Sequence, residues 1–542
     1  MRTAGRRHGQ GSRICGWILG LLVVMAALVV PGSASAVTWL PVQTLSAAGG
    51  EAREPQVSFD AGGNALVVWD RQGGDVRAQA RFLPAGGVVG PIEGLSFPGT
   101  DTIRPQIGFD SAGNALTAWR RIDGATDRVQ ARDRFAGGGL GDLENLATGN
   151  VGDPRVAVDP AGNALVVYIH DDGADHRVNA RYRPAGGSYG AAQILSAAGD
   201  PGTREQVAMD PAGNALVIWQ RPTFGNNRIQ ARFRPDGGAF AATQNLSPAG
   251  GHSDGPHVAF DPAGNALAAW ERNFLVQTRY RPAGGAFGAT QTISSAAENA
   301  NESQIALDPA GNALIAWYTF GGATDRIQAR FRTPDGDLGP VQNLAADGDP
   351  EQPQVALDPA GNALVVWLQN DGANRRVQAR YRPGGGSFGP VQNLSAAGGD
   401  ADAPQVDFDA AGNALVVWQR YDGADDRVQA RFLQGPQGGA RPSNDFSFGK
   451  LKRNRKRGTA KQTVIVPGPG ELDLARTKKV KPRSKRAEEA GKVKLRIKPK
   501  RRSKRRLNLR GKAKVKANVT YTPDGGDPRT KMKKVKLKKR RR

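Results

Sequence analysis

Between Val37 and Gly435 the apolar and polar positions run in short blocks that recur at a near-constant interval. Each block holds four segments: a, like "PQVALD"; b, like "NALVVW"; c, like "RVQARYRP"; and d, like "FGPVQNLSAAG". The segments are of strand length, rich in β-branched and aromatic residues, and bounded by Gly, Pro, Asn and Asp. None carries a sustained 3.6-residue period, so all four are predicted to be strands. Segment b is apolar at consecutive positions, as a strand covered on both faces would be. Segment c alternates Val, Ala and Tyr with Arg, Gln and Arg, which predicts one solvated face. On that reading its repeated arginines, such as Arg376 and Arg380, stand in water.

The period follows from one aspartate, found at Asp60, Asp110, Asp159, Asp210, Asp261, Asp308, Asp358 and Asp409, with steps of 50, 49, 51, 51, 47, 50 and 51 residues. It opens the stretch "DPAGN" in five units and a close copy of it in the other three. There the aspartate is suited to bond amides ahead of it, proline presets φ, and glycine supplies the left-handed conformation that closes a short hairpin. A catalytic group is needed once or twice per molecule, not eight times at equivalent places. The repeated Asp, Gly and Asn are therefore read as turn formers. Seven of the nine tryptophans share one position in segment b (Trp69, Trp119, Trp219, Trp270, Trp317, Trp367 and Trp418), and Tyr168 takes it in the third unit. They are expected to pack neighbouring units together rather than to form a sugar platform.

The ends of the array are offset. The segment after Ala36, "VTWLPVQTLSAAGG", matches d with no a, b or c before it, and the eighth unit has a, b and c with no d after it. An N-terminal d that pairs with the last a-b-c set would close a ring. The expected fold is all-β: a closed eight-bladed β-propeller over residues 37–435 whose N-terminal strand completes the last blade. A linker at 436–443 and a small, basic, Ig-like β-sandwich at 444–542 would follow. "VALDPAGNALVVW" and "RVQARY" resemble the NHL repeat, which pairs a D-P-x-G-N hairpin with a strand like R-(V/I)-Q. The resemblance implies a β-propeller that binds partners. The unit here is longer than an NHL repeat, and "VVW" stands where that repeat carries V-A-D.

In such a fold the a–b and c–d turns share one end, and these are nearly uniform. The b–c and d–a connections share the other end, and these vary, as binding loops do. The candidate binding residues are the acids there: Asp123, Asp127, Asp171, Asp172, Asp175, Asp422, Asp425 and Asp426. Their spacing completes no calcium loop. His170 and His176 flank one acidic loop without a third ligand. The sequence holds no nucleophile elbow, phosphate loop or zinc motif, so no catalytic residue, metal or cofactor is assigned.

Composition adds an address. Arg2, Arg6, Arg7 and Arg13 precede an apolar run from Ile14 to Val30, and Ala34 and Ala36 offer a cleavage site: an export signal over 1–36. Its removal takes the only cysteine, Cys15, and with it any thiol chemistry. No later apolar run is long enough to span a membrane. The formal charge of +25 divides sharply. From Arg441 onward 39 basic residues face 7 acidic ones, a net of +32, while Val37 to Ala440 carries −11.

In the basic part apolar and basic residues alternate in short runs, a β pattern, with "KPKRRSKRRLNLR" and the final "KKRRR" as possible irregular arms. Such a charge attracts polyanions. Export and scarce aromatics (Phe446, Phe448 and Tyr521) argue against nucleic acid and for anionic cell-wall polymers or lipid headgroups. The expectation is a secreted, non-enzymatic binding protein retained at the cell envelope. Its propeller would take a glycan or protein ligand. The alternative is an extracellular polysaccharide hydrolase or lyase, which needs non-repeated acids or a base converging at one end of the ring.

Overall fold

The computed structural model describes residues 37–540, apart from 74–76, 100, 125, 224, 323, 347, 436–445, 476, 478, 488–490 and 524–528. The expected export signal and linker lie outside the described residues. The fold is all-β and β-propeller-like. Seven four-stranded antiparallel sheets follow one another in the order a-b-c-d. Unit one is typical, with a Glu51–Phe59, b Ala65–Gln72, c Arg77–Leu83 and d Ile92–Gly94.

The eighth sheet takes its a, b and c from Ala401–Phe408, Ala414–Tyr421 and Asp426–Gln434. Its d comes from the N-terminal segment: Thr38 pairs with Gln434, Trp39 with Leu433, Gln43 with Ala430 and Thr44 with Gln429. The offset seen in the sequence is this pairing. Segment a of each unit touches segment a of the next, and that of unit eight touches that of unit one.

The turn forms as its chemistry dictates even in unit one, where Ala61 and Gly62 stand in place of the proline and alanine of "DPAGN". Asp60 Oδ1 accepts from Gly62 N and Asn64 N, both at 2.8 Å, and Oδ2 accepts from Asn64 Nδ2 at 2.7 Å. Gly63, at φ +79°, donates to the Asp60 carbonyl at 3.0 Å. The Asn64 side-chain oxygen then accepts from Ala85 N at 3.0 Å, tying the a–b turn to the c–d turn. The same bonds recur in unit seven among Asp358, Asn362 and Gly384.

The glycine also fits between units. A Cβ on Gly412, at φ +83°, would stand 2.7 Å from Asp358 Oδ2 of the preceding unit. Gly412→Ala is therefore expected to cost more than the roughly 1–3 kcal/mol of left-handed strain alone. Gly398→Ala, at φ +80° with open space around it, should cost only the strain. Chemical unfolding of both variants measures the difference.

Segment b is buried along its length, and the seven repeated tryptophans are fully buried. Each apolar cluster spans two successive units. Trp219 packs with Leu165 and Val167 of unit three, and Trp69 of unit one packs with Leu415 and Val417 of unit eight. The tryptophan ring is core, not platform.

Segment c departs from the expected solvated face. In units one, two, four and six its glutamine is buried and serves the indole as acceptor: Trp69, Trp119, Trp219 and Trp317 donate Nε1 to Gln79, Gln130, Gln230 and Gln328 at 3.1–3.2 Å. Nor do the arginines stand free in water. Arg330 donates Nε to Gly339 O of its own unit at 2.7 Å and Nη1 to Ile293 O of the preceding unit at 2.8 Å. Arg380 reaches Asn343 O of unit six at 3.2 Å, and Arg376 reaches Ser395 O at 2.6 Å. They cross-link short d strands that could not hold themselves in place.

In the basic part, two sheets share one core. One is built from Ser447–Asn454, Thr459–Val466 and Gly491–Ile497, the other from Arg483–Ala487, Gly470–Leu474, Lys512–Pro523 and Arg529–Lys538. Val464, Leu495, Val515, Tyr521 and Leu537 are buried between them. Part of the segment expected as an arm is a helix, Arg501–Arg510. Ser503 and Leu507, one turn apart, are its buried residues, and Gly511 ends it in the left-handed conformation. Among the described residues no helix is long and apolar enough to cross a membrane.

Candidate functional site

The eight loop acids fall on units two, three and eight, and each is held by local bonds. Asp123 pairs with Arg121 and Arg128 at 3.2 and 3.1 Å, and Asp127 pairs with Arg120. Asp171 accepts from Gly173 N and Asn150 Nδ2. Asp172 accepts from Ala174 N and Asp175 N and pairs with Arg177; Asp422 repeats this with Ala424, Asp425 and Arg427. The amide bonds and the arginine hold both carboxyls below the usual carboxylate range. Asp175 accepts from Gly199 N at 2.7 Å and Asp425 from Gly49 N at 3.0 Å, while Asp426 pairs with Arg53 at 3.1 Å. The acids close loops and join units. Among the described residues no three His, Cys, Asp or Glu side chains gather as a metal site.

A different set does vary at that end. In seven units segment a slips by a β-bulge just before its "PQV" stretch. Seven residues there have positive φ: Glu54, Arg104, Arg204, Gly255, Glu302, Gln352 and Ala403, at 48–55°. Bulges re-aim side chains, and non-glycine residues in this conformation gather at functional sites. The bulge residues bond from unit to unit. Arg104 Nη1 lies 2.5 Å from Asp153 and Nε 3.4 Å from Glu54. Arg204 lies 2.9 Å from Asp254. Gln352 donates N to Glu302 at 2.8 Å and Nε2 to Asp402 at 3.1 Å.

Two positions next to the bulge break the repeat only in units three to six. Glutamine recurs at Gln56, Gln106, Gln206, Gln304, Gln354 and Gln405, but Arg155 and His257 replace it in units three and five. Proline precedes that position in most units, but Glu205 and Ser303 replace it in units four and six. Glu271, at the end of segment b in unit five, accepts from Ser303 N at 2.6 Å and is buried, with Oε2 lacking a hydrogen bond. Its carboxylate explains Gly255, because a Cβ there would stand 2.0 Å from Oε2. Gln304 and His257 meet at 3.4 Å.

Burial sets the titration of these groups. Desolvation pushes the Glu205 carboxyl up to about 8 against the pull of Arg155, and Glu271 up to about 7. In unit one it raises Asp70 to about 8, helped by the charge of Glu54. Desolvation and then Arg155 push His257 down to about 4.

An acid that holds its proton more tightly when folded adds stability below its unfolded pKa and loses that contribution as pH rises through the folded pKa. The parent should therefore lose stability between about pH 4.5 and pH 8, and Glu205→Gln should flatten part of that fall. Unfolding midpoints across this range test it; identical slopes for parent and variant would place Glu205 in water.

At the a–b turns the side chains lining a depression of about 350 Å³ are mostly apolar, with Asp60 and Asp409 among them. They include Phe59, Phe260, Leu307, Leu357 and Phe408, with residues of the adjoining turns from units one, five, six, seven and eight. The two ends thus differ in chemistry: apolar and regular at the a–b turns, ionic and irregular at the bulges. The signal for the bulge residues was present in the sequence as the variable position before a repeated proline.

No family model matches the chain, and no curated protein matches its sequence. Solved structures do resemble it. The polysaccharide lyase Uly1 aligns at 11% identity over 61% of this chain and 89% of its own, with a TM-score of 0.43. A PL25 ulvan lyase bound to -[GlcA(1-4)Rha3S]- aligns at 10% identity over 61% and 91%, also at 0.43. The α-L-arabinanase of Penicillium chrysogenum, complexed with arabinobiose, aligns at 11% identity over 53% and 93%, at 0.34.

Proposed function

We propose that the chain is an exported, non-enzymatic binding protein. In this reading the eight units form a closed eight-bladed propeller whose bulge end is the interaction platform for a glycan or protein. The basic Ig-like domain keeps the protein on anionic polymers of the cell envelope. Closure is supported by the N-terminal strand in the last sheet and by the contact of unit eight with unit one.

One observation carries the retention half. Across the strands Lys512–Pro523 and Arg529–Lys538, Lys512 stands opposite Lys538, Lys514 opposite Lys536 and Lys516 opposite Lys534. Like charges directly opposite destabilise a sheet. Lys479 adds to them, and among the described residues no carboxylate lines the depression of about 680 Å³ on this face. A polyanion laid on that face relieves the repulsion. Base stacking finds little support here, because Phe446 and Tyr521 are fully buried and the half-buried Phe448 ring carries Lys533 Nζ at 5.5 Å.

The test is fractionation of exported protein. Full-length chain should remain with the envelope at low salt and be released as salt screens the attraction. Protein truncated after residue 443 should appear in the medium. Equal retention of both forms would contradict the reading.

A second reading, a polysaccharide hydrolase or lyase, rests on Glu205, Glu271 and His257. They are non-repeated titratable groups in neighbouring units: burial raises the Glu205 and Glu271 carboxyls to about 8 and about 7 and pushes the His257 imidazole down, and shifted groups of this kind gather at catalytic sites.

A further inference from the structure

The lysine face is not the only cationic surface of the basic domain. A cleft of about 1290 Å³ opens on the other sheet, lined by Lys452, Arg453, Arg455, Lys456, Lys461, Arg496, Lys539 and Arg540 together with Asn454, Thr459, Ala460 and Asn508. Among the described residues that line it, eight of twelve are cations and none is an acid.

The cations are placed by the fold. Lys452 pairs with Lys461, and Lys461 with Arg496, so three charges stand in a row across three strands. Strand spacing sets them about 4.8 Å apart at the backbone. Arg453 donates Nε to Lys536 O at 2.8 Å, fixing it at the seam between the two sheets. Lys539 donates Nζ to Asn508 Oδ1 at 2.6 Å, and Arg540 N to Arg455 O at 2.9 Å. These bonds hold the residues after the C-terminal strand against the helix Arg501–Arg510 and against the turn between Asn454 and Thr459. The row is costly to assemble without a counter-charge and is pre-organised for one.

Resting on the retention reading above, we infer that this cleft is a binding site for a phosphodiester polymer without bases, of the poly(glycerol phosphate) kind. Four guanidinium groups favour phosphate, whose oxygens match their forked donors; lysine would serve any anion as a point charge. A row of evenly placed cations suits an anion repeated along a chain. The lining contains no aromatic residue, so a nucleic acid would gain nothing from its bases there.

The test uses the mature full chain, residues 37–542, with poly(glycerol phosphate) as probe and polygalacturonate, heparin, single-stranded DNA and phosphatidylglycerol vesicles as comparators. Two variants carry four changes each. The cleft variant is K452Q/R453Q/K461Q/R496Q, and the face variant is K514Q/K516Q/K534Q/K536Q. The parent should bind poly(glycerol phosphate) at least tenfold more tightly than polygalacturonate of equal charge.

The cleft variant should lose that preference. Its plot of log affinity against log salt should flatten by about 3, from about 0.7–0.9 per contact removed. The face variant should weaken all polyanions alike and keep the preference. Circular dichroism and melting of each variant show that the domain is folded. A cleft variant that binds as the parent does, or a parent that prefers vesicles, DNA or heparin, overturns the assignment. If the cleft variant is unchanged while truncation after residue 443 still abolishes retention, the cleft fails and the retention reading stands. If truncation leaves retention unchanged, the retention reading fails too.

Discussion

Removing residues 37–47 from the mature chain is expected to lower its unfolding midpoint by on the order of 10 °C or more and to make it aggregate. The segment supplies the last strand of unit eight and much more than its few ladder bonds. Leu45 is fully buried against Val428 and Ala430, a burial worth about 1.5–3 kcal/mol. Leu40 N and Leu45 N donate to Phe432 O and Val428 O at 2.9 and 2.8 Å. Ser46 Oγ accepts from Val428 N at 3.0 Å, and Arg431 donates Nε to Leu40 O at 2.9 Å. Each such bond contributes about 1 kcal/mol net.

The loss also uncovers the edge of Asp426–Gln434 and the seam with unit one. At that seam Asp407 Oδ2 accepts from Phe59 N at 3.0 Å. Leu45→Ala should cost about 2–5 kcal/mol, as Leu246→Ala should at the equivalent internal position. A truncated chain that melts like the parent would mean that unit eight does not depend on the N-terminus.

The second large effect lies in the core. Trp219→Ala should cost about 3–5 kcal/mol. The indole is fully buried between units three and four, and its loss strands the Gln230 carbonyl oxygen it bonds at 3.1 Å. The molecule carries its own control. In unit three Tyr168 takes the tryptophan position, and the residue opposite it is Asn179, not glutamine. The pair Trp219→Tyr with Gln230→Asn should therefore be less destabilising than the sum of its single changes, a coupling that a double-mutant cycle measures. Additive effects would show that the two positions do not depend on each other.

What the sequence could and could not disclose follows from the range of each interaction. The hairpin turn from Asp60 to Asn64 is local, five residues long, and its turn chemistry was legible. So was the buried b strand, because five consecutive apolar residues admit few other placements. The roles of Arg330 and Gln79 were not legible, since polarity alone does not reveal that a d strand of two or three residues needs side-chain bonds to stay in place or that a buried indole needs an acceptor. The helix Arg501–Arg510 was hidden by its charge, with only Ser503 and Leu507 marking a buried side.

The bulge residues escaped attention for another reason. Glu54, Arg104, Gly255, Gln352 and Ala403 precede the repeated stretch at one equivalent position with five residue types, so no residue pattern marks them. Their common feature is a backbone conformation. The loop acids were found by the opposite route, as variable residues on variable loops. In the structure Asp172 and Asp422 are engaged by their own turns, while Asp425 and Asp426 join unit eight to the N-terminal segment and to unit one.

The account separates scaffold from site by repetition and reads the bulge end as a place of binding without turnover. The direct test incubates the mature chain with neutral, uronic-acid and sulfated polysaccharides. Binding is followed on a glycan array, and new reducing ends and unsaturated products are followed in solution. The account predicts retention of one ligand class with no product formed. Steady product release that falls on Glu205→Gln, Glu271→Gln or His257→Ala, in variants that still fold, would contradict it.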